Sequence, residues 1–114
     1  GDEVVAHAVL GAAFEGPPGR AHGGMVSAIV DETMTALMTQ LGTIAFTASL
    51  QLDYTSPAPL HADLEFRARL HSRDGRRITI TCSGSSGGDT FIEATGTFVE
   101  IDSARMMSTF GRPE

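Results

Sequence analysis

Lysine is absent from these 114 residues; all eight basic side chains are arginine. A GC-rich genome produces that bias, so no function is read from it. Cysteine occurs once, at Cys82. A lone cysteine cannot close an intrachain disulfide and fits a reducing compartment, so cytoplasmic residence is the expectation. Excess positive charge is missing too. The net charge of −6 argues against a nucleic-acid partner held through phosphates. A small anionic ligand stays open, because it needs only a local basic cluster. No apolar run approaches the ~20 residues that span a bilayer, so no membrane partner is expected. The start, "GDEVV", is acidic and lacks signal-peptide character; residue 1 is not taken as the natural beginning. No repeat, low-complexity tract or linker interrupts the chain. One domain over residues 1–114 is expected, large enough for a single core.

What is present is a switch of period. "VVAHAVLGAAF" (4–14) alternates, with Ala6, Ala8, Leu10, Ala12 and Phe14 on one side, and predicts a first strand. "EGPPGRA" is a loop. "GGMVSAIVDETMTALMTQLG" predicts one long helix over 23–42, ended by Gly42. Its apolar positions 25, 26, 29, 30, 34, 37 and 38 cover more than one stripe, so most of it should be buried. The period then becomes two. In "TIAFTASLQLDY" Ile44, Phe46, Ala48, Leu50, Leu52 and Tyr54 share one face, and Thr43, Thr47, Ser49, Gln51 and Asp53 the other. "SPAPL" ends that strand. "ADLEFRARLH" and "RRITITCS" follow, joined at Asp74-Gly75, a hairpin signal. After "SSGGD", "TFIEATGTFVEI" is a final strand; the tail "DSARMMSTFGRPE" reads as short helix or disorder. One helix on one face of an antiparallel meander is an α+β arrangement.

"HGGMVSAIVDE" (22–32) resembles the signature of hotdog-fold acyl-CoA thioesterases, the PaaI-like branch of the 4HBT-type thioesterase superfamily. "FEGPPGRAHGG", "LQLDYTSPAPL" and "RDGRR" resemble further segments of these enzymes, so the likeness covers nearly the whole chain. It implies a sheet wrapped around a central helix, hydrolysis of an acyl-CoA without any cofactor, and assembly as a homodimer or dimer of dimers. By position, Gly23 matches the glycine whose N–H polarises the thioester carbonyl. Asp31 matches the carboxylate that attacks or activates water. Thr47 matches a Ser/Thr that orients water or the carboxylate in some relatives. One departure stands out: some relatives carry an amide side chain upstream of Gly-Gly, where this chain has Gly16.

The residues can be weighed on their own chemistry. Thioester hydrolysis needs a donor at the carbonyl oxygen and an activated water or a nucleophile. A helix N-terminus offers unpaired N–H groups, and Gly23 and Gly24 let a substrate approach it closely. The plainer reading is a tight loop-to-helix turn. Asp31 is poorly suited to an apolar helix unless it works there; the plainer reading is a solvent-facing or ion-paired Asp. Glu32 lies about 100° round the helix and reads as structural or rim-lying, with the working carboxylate as its other role. Thr47, by alternation, points away from the helix side. Either its strand begins irregularly or a second subunit brings the site to that face. His22 is read as a loop brace before a general base. His7, His22, His61 and His71 lack ligand spacing, so no metal is expected. Arg76 and Arg77, at the hairpin with Arg73, suit the phosphates of coenzyme A, or form a solvated basic turn. The depth of the acyl pocket is expected to depend on Met34, Met38, Leu41 and loop residues. The expected substrate is a medium-chain or aromatic acyl-CoA. A hotdog dehydratase or hydratase, or an acyl-CoA-binding module without turnover, are the competing readings.

Overall fold

The computed structural model describes residues 2–101. Its centre is helix α1 (Gly23–Gln40), 18 residues or about 27 Å long. His22 caps the start in an extended conformation, its Nδ1 accepting from the Gly24 N–H. At the other end Gly42, at φ 71°, donates to the Thr39 carbonyl and Thr43 to that of Met38. That 6→1, 5→2 pair is a Schellman ending. The buried stripe is Val26, Val30, Thr33, Met34, Leu37 and Met38. It is narrower than the apolar pattern suggests, with Met25 and Ile29 only half-buried. The reason is geometric: a single sheet covers one side of a helix. Gly24, Ala28, Glu32, Thr35, Ala36 and Thr39 stay exposed on the other.

Five antiparallel strands form one sheet in the order β1-β3-β4-β5-β2. They are β1 (Glu3–Val9), β2 (Ala45–Tyr54), β3 (Asp63–Asp74), β4 (Arg77–Ser86) and β5 (Asp89–Glu100). The first strand is shorter than expected, because Ala12–Phe14 form a 3-10 turn that leaves Phe14 exposed. Strands β3 to β5 are the expected meander, but β2 pairs with β5 instead of β3. The connection from Thr55 to Ala62 carries Pro57 and Pro59, too long and too rigid for a tight hairpin. It packs on the loop before α1 instead: Ala21 donates to the Ala58 carbonyl and Leu60 to that of Gly19. The β3–β4 loop is Gly75-Arg76, one residue later than the Asp-Gly signal. Gly75 takes φ 62° at the first central position, the type II′ pattern.

The core lies between α1 and the sheet, where Leu64, Phe66, Ile78, Ile80, Ile92 and Phe98 are buried. Phe66 and Phe91 meet edge to face with centroids 5.8 Å apart. A Cβ at Gly96 would stand 2.8 Å from Met34 Sδ and 2.7 Å from the Phe98 ring. The missing side chain leaves room for the Met34 thioether and the Phe98 ring against β5. Cys82 is buried in the same core, 3% exposed, and burial pushes its thiol up to about 11. The segment 102–114, left open between short helix and disorder, lies outside the described residues.

Candidate active site

The head of α1 is built by three segments. The turn at 15–21 and the Thr55–Ala58 stretch meet beside Gly23, and Tyr54 at the end of β2 closes the third side. A cavity of about 450 Å³ opens there, walled by Pro17, Ala21, Gly23, Val26, Tyr54 and Ala58. "SPAPL" thus does more than end a strand: its Ser56, Pro57 and Ala58 line this cavity. Met34 and Met38 do not; both are packed in the core, 0% and 3% exposed. The expectation that they set pocket depth is therefore corrected to the two loops.

The first turn of α1 has four N–H groups without helical acceptors. His22 donates to the Phe14 carbonyl at 2.7 Å and Met25 back to the His22 carbonyl at 3.1 Å, while Val26 begins the regular i→i−4 ladder on that same carbonyl. Gly24 donates to His22 Nδ1 at 3.0 Å. Gly23 N–H alone has no acceptor among the described residues. No acidic side chain stands in this turn to neutralise the positive end of the helix. The two glycines thus separate in role. Gly24 is small because the His22 ring folds over it, within 3.1 Å of where a Cβ would be. Gly23 holds the free donor. His22 holds the start of the helix through this cap.

Asp31 lies two i+4 steps along, on the line Gly23–Ser27–Asp31–Thr35. Hydroxyls tie this line together: Ser27 Oγ donates to the Gly23 carbonyl at 2.9 Å and Thr35 Oγ1 to that of Asp31 at 2.9 Å. Asp31 is half-buried, and its Oδ1 is buried without a hydrogen-bond partner among the described residues. An orphaned buried oxygen of this kind costs about 1–3 kcal/mol. Glu32 is exposed on a different face, beside a groove lined by Val4, Ala6, Met25, Ala28 and Ile29.

Thr47 does not point away from the helix side. A bulge between Thr47 and Ser49 shifts the register, so that Thr47 faces Phe98 while Leu50 faces Gly96. Directly paired residues share a face, which puts Thr47 on the side of buried Phe98. The same bulge turns Phe46 outward, where it is 50% exposed. The irregular strand start is the alternative that the structure supports.

The arginines fall into two groups. Arg67 bridges Glu3 and Glu65, Arg69 pairs with Glu3, and Arg73 with Glu100 at 2.8 Å. The Arg69 hydrogen bond is the leading cause that holds the Glu3 carboxyl below its ordinary range. Arg76 commits only its Nε, to the Glu100 carbonyl, and Arg77 has no partner among the described residues. Both are exposed. They stand beside the start of β2, whereas Gly23 stands beside its end. The 10 residues of β2 span about 30 Å. One chain therefore does not bring the hairpin to Gly23. Among the described residues no group of three or more His, Cys, Asp or Glu is placed to hold a metal, and no helix is long and apolar enough to cross a membrane.

Sequence reasoning passed over Tyr54. It reads as one more inward apolar position, but its hydroxyl lies 2.6 Å from the Gly23 carbonyl oxygen. Only the spatial meeting of β2 with α1 reveals that.

Comparison with known proteins agrees with this architecture. An acyl-coenzyme A thioesterase, THEM4 of Xenopus laevis, is 32% identical over 90 residues, covering 77% of this chain and 40% of the relative. The chain thus spans about two-fifths of that protein's length. A single-site mutant of the phenylacetic acid degradation protein PaaI from Thermus thermophilus superposes with a TM-score of 0.79 at 28% identity, over 87% of this chain and 85% of that one. A Streptococcus pneumoniae hypothetical thioesterase crystallised with coenzyme A gives a TM-score of 0.83 over 88% and 82%; at 18% identity it speaks for the fold alone. The Thioesterase superfamily profile matches residues 18–93, from the loop before α1 into β5. With that match and an unpartnered donor at the head of its one long helix, the chain belongs to the thioesterase superfamily and carries its hotdog fold.

Proposed function

We propose that this domain hydrolyses the thioester bond of acyl-CoA, with Gly23 N–H holding the carbonyl oxygen and Asp31 attacking or activating water. The observation that carries the reading is an unpartnered donor and an unpartnered buried acceptor on one helix. They are eight residues apart, about 12 Å along the axis. Reacting atoms must approach to about 3–3.5 Å, so the two cannot serve one substrate from the same chain. A second copy with its helix antiparallel sets its Asp31 opposite Gly23, giving two equivalent sites in a C2 dimer. The edge of β2, unpaired among the described residues, with Phe46 on it and Ile44 just before it about half exposed, supports such a partner. The same operation carries the partner's Arg76 and Arg77 toward the site, where they bind the phosphates of coenzyme A. Thr47 orients water or the carboxylate, and His22 and Gly24 shape the turn that presents the donor. Glu32, on its separate face, belongs to the rim.

The likeness to THEM4 and PaaI supports an acyl-CoA substrate, and the uncharged walls of the cavity at Gly23 suit a medium-chain or aromatic acyl group. A hydratase would need His22 as its base; here His22 Nδ1 is committed to Gly24. The deciding experiment incubates the protein with a panel of acyl-CoA esters and follows release of free thiol. Turnover of a medium-chain or aromatic ester is expected. Binding without thiol release would move the reading to an acyl-CoA-binding module.

A further inference from the structure

Among the described residues, Tyr54 makes the one hydrogen bond that reaches Gly23 from outside α1. Its phenolic oxygen lies 2.6 Å from the Gly23 carbonyl oxygen and 2.6 Å from Ser27 Oγ, itself 2.9 Å from the same carbonyl. Two hydroxyl protons serve these three oxygens. Tyr54 donates to the carbonyl while Ser27 donates to the phenol, or Tyr54 donates to Ser27 while Ser27 donates to the carbonyl. In the first arrangement the phenol holds the Gly23 carbonyl directly; in the second it acts on it through Ser27.

Gly23 has no side chain to restrict it, and an oxyanion donor is worth most when its aim is fixed before the substrate arrives. The other contacts that set its aim are local to the helix start: the His22 carbonyl and the His22 Nδ1 cap. Tyr54 is different. It closes β2, paired with Ile92, and the next residue donates to the Phe91 carbonyl at 2.9 Å. It thereby ties the Gly23–Gly24 peptide, which joins the donor's own peptide at the Gly23 Cα, to the sheet. Its ring also stands 3.6–3.7 Å from where a Gly23 Cβ would be, walling the cavity at the donor.

We propose that Tyr54, backed by Ser27, is a positioning residue that fixes the aim of the Gly23 N–H at the thioester carbonyl. This rests on the thioesterase reading above. The test compares wild type, Tyr54→Phe, Ser27→Ala and the double variant, each checked for an unchanged circular dichroism spectrum. Two readouts are taken: kcat and KM on an acyl-CoA, and the infrared carbonyl band of a bound ketone analogue with CH2 in place of the thioester sulfur. Tyr54→Phe is expected to lower kcat about tenfold, leave KM within twofold, and move the bound carbonyl band back toward its free frequency. Ser27→Ala loses less, because Tyr54 still reaches the carbonyl; the double variant falls below Tyr54→Phe. If kcat and the band are unchanged in folded Tyr54→Phe while wild type turns over, the positioning role is wrong and the thioesterase reading stands. A wild type with neither turnover nor a band shift overturns both. Should Tyr54→Phe not fold, the chain's one tyrosine allows residue-wide replacement by the more acidic 3,5-difluorotyrosine at position 54 alone. Once ionised it cannot donate, so the alkaline limb of kcat moves to lower pH; an unmoved limb overturns the proposal.

Discussion

Asp31 keeps one carboxylate oxygen buried and without a donor among the described residues, and that defect is informative. Evolution has a simple remedy, since an apolar residue would pack on the same helix with no orphan. If the carboxylate works on substrate, Asp31→Ala is expected to lower kcat by orders of magnitude with KM for acyl-CoA nearly unchanged. The folded variant is also expected to be no less stable, because the orphaned oxygen is gone. Near-normal kcat in Asp31→Ala would move the role to Glu32. Cys82 shows the opposite case, a titratable group kept neutral by burial. Its thiol is pushed up from 9.0 to about 11. Between these values the unfolded chain has released a proton that the native chain still holds, so stability falls as pH rises. The fall amounts to at most about 2–3 kcal/mol. Urea unfolding at pH 8 and pH 11 measures it, and in Cys82→Ala this share of the fall is expected to vanish.

At the scale of elements, the regular features were legible and the irregular ones were not. α1 and its Gly42 ending, the alternation of β3 with Leu64, Phe66 and Ala68 inward, and the turn before β5 follow from local period and glycine placement. The bulge in β2 does not, because one inserted residue leaves composition untouched while reversing the faces of Phe46 and Thr47. The pairing of β2 with β5 was equally hidden, since strand order is decided by long-range packing. Within the site, the positions of Gly23 and Asp31 on α1 were legible from one short motif, while the capping bond of His22 to Gly24 was not. Nor was the Tyr54 contact, since its partner lies 31 positions away in the chain. The β3–β4 hairpin carries its own prediction. With Arg76→Ala/Arg77→Ala, KM for an acyl-CoA is expected to rise at least tenfold, from about 1.5–3 kcal/mol per lost charged contact. KM for the matching acyl-pantetheine thioester is expected to hold. Equal KM shifts for the two substrates, or none, would leave the hairpin as a solvated turn.

The whole molecule has two ends to its proposed site and only one of each per chain. Mixed dimers test this directly. Proline at position 23 removes the N–H and sits at the first helical position, where proline is well tolerated. His22, extended at φ −66° and ψ 129°, is compatible with a following proline. Each of Asp31→Ala and Gly23→Pro alone is expected to be nearly inactive. On subunit exchange, one site of each mixed dimer regains both working halves, and activity returns. Folded mixed dimers without activity would sink the shared arrangement. The burial of Cys82 has a practical consequence for all these measurements. Thiolate is the form that attacks disulfide and maleimide reagents, and this one is hidden by the sheet and held protonated. Native protein therefore contributes almost no background when coenzyme A thiol is titrated during turnover. The same residue becomes a clock: with reagent in excess, the slow labelling of Cys82 counts how often β4 opens away from α1, and a bound ligand that lengthens that interval announces itself without any chemistry at the thioester.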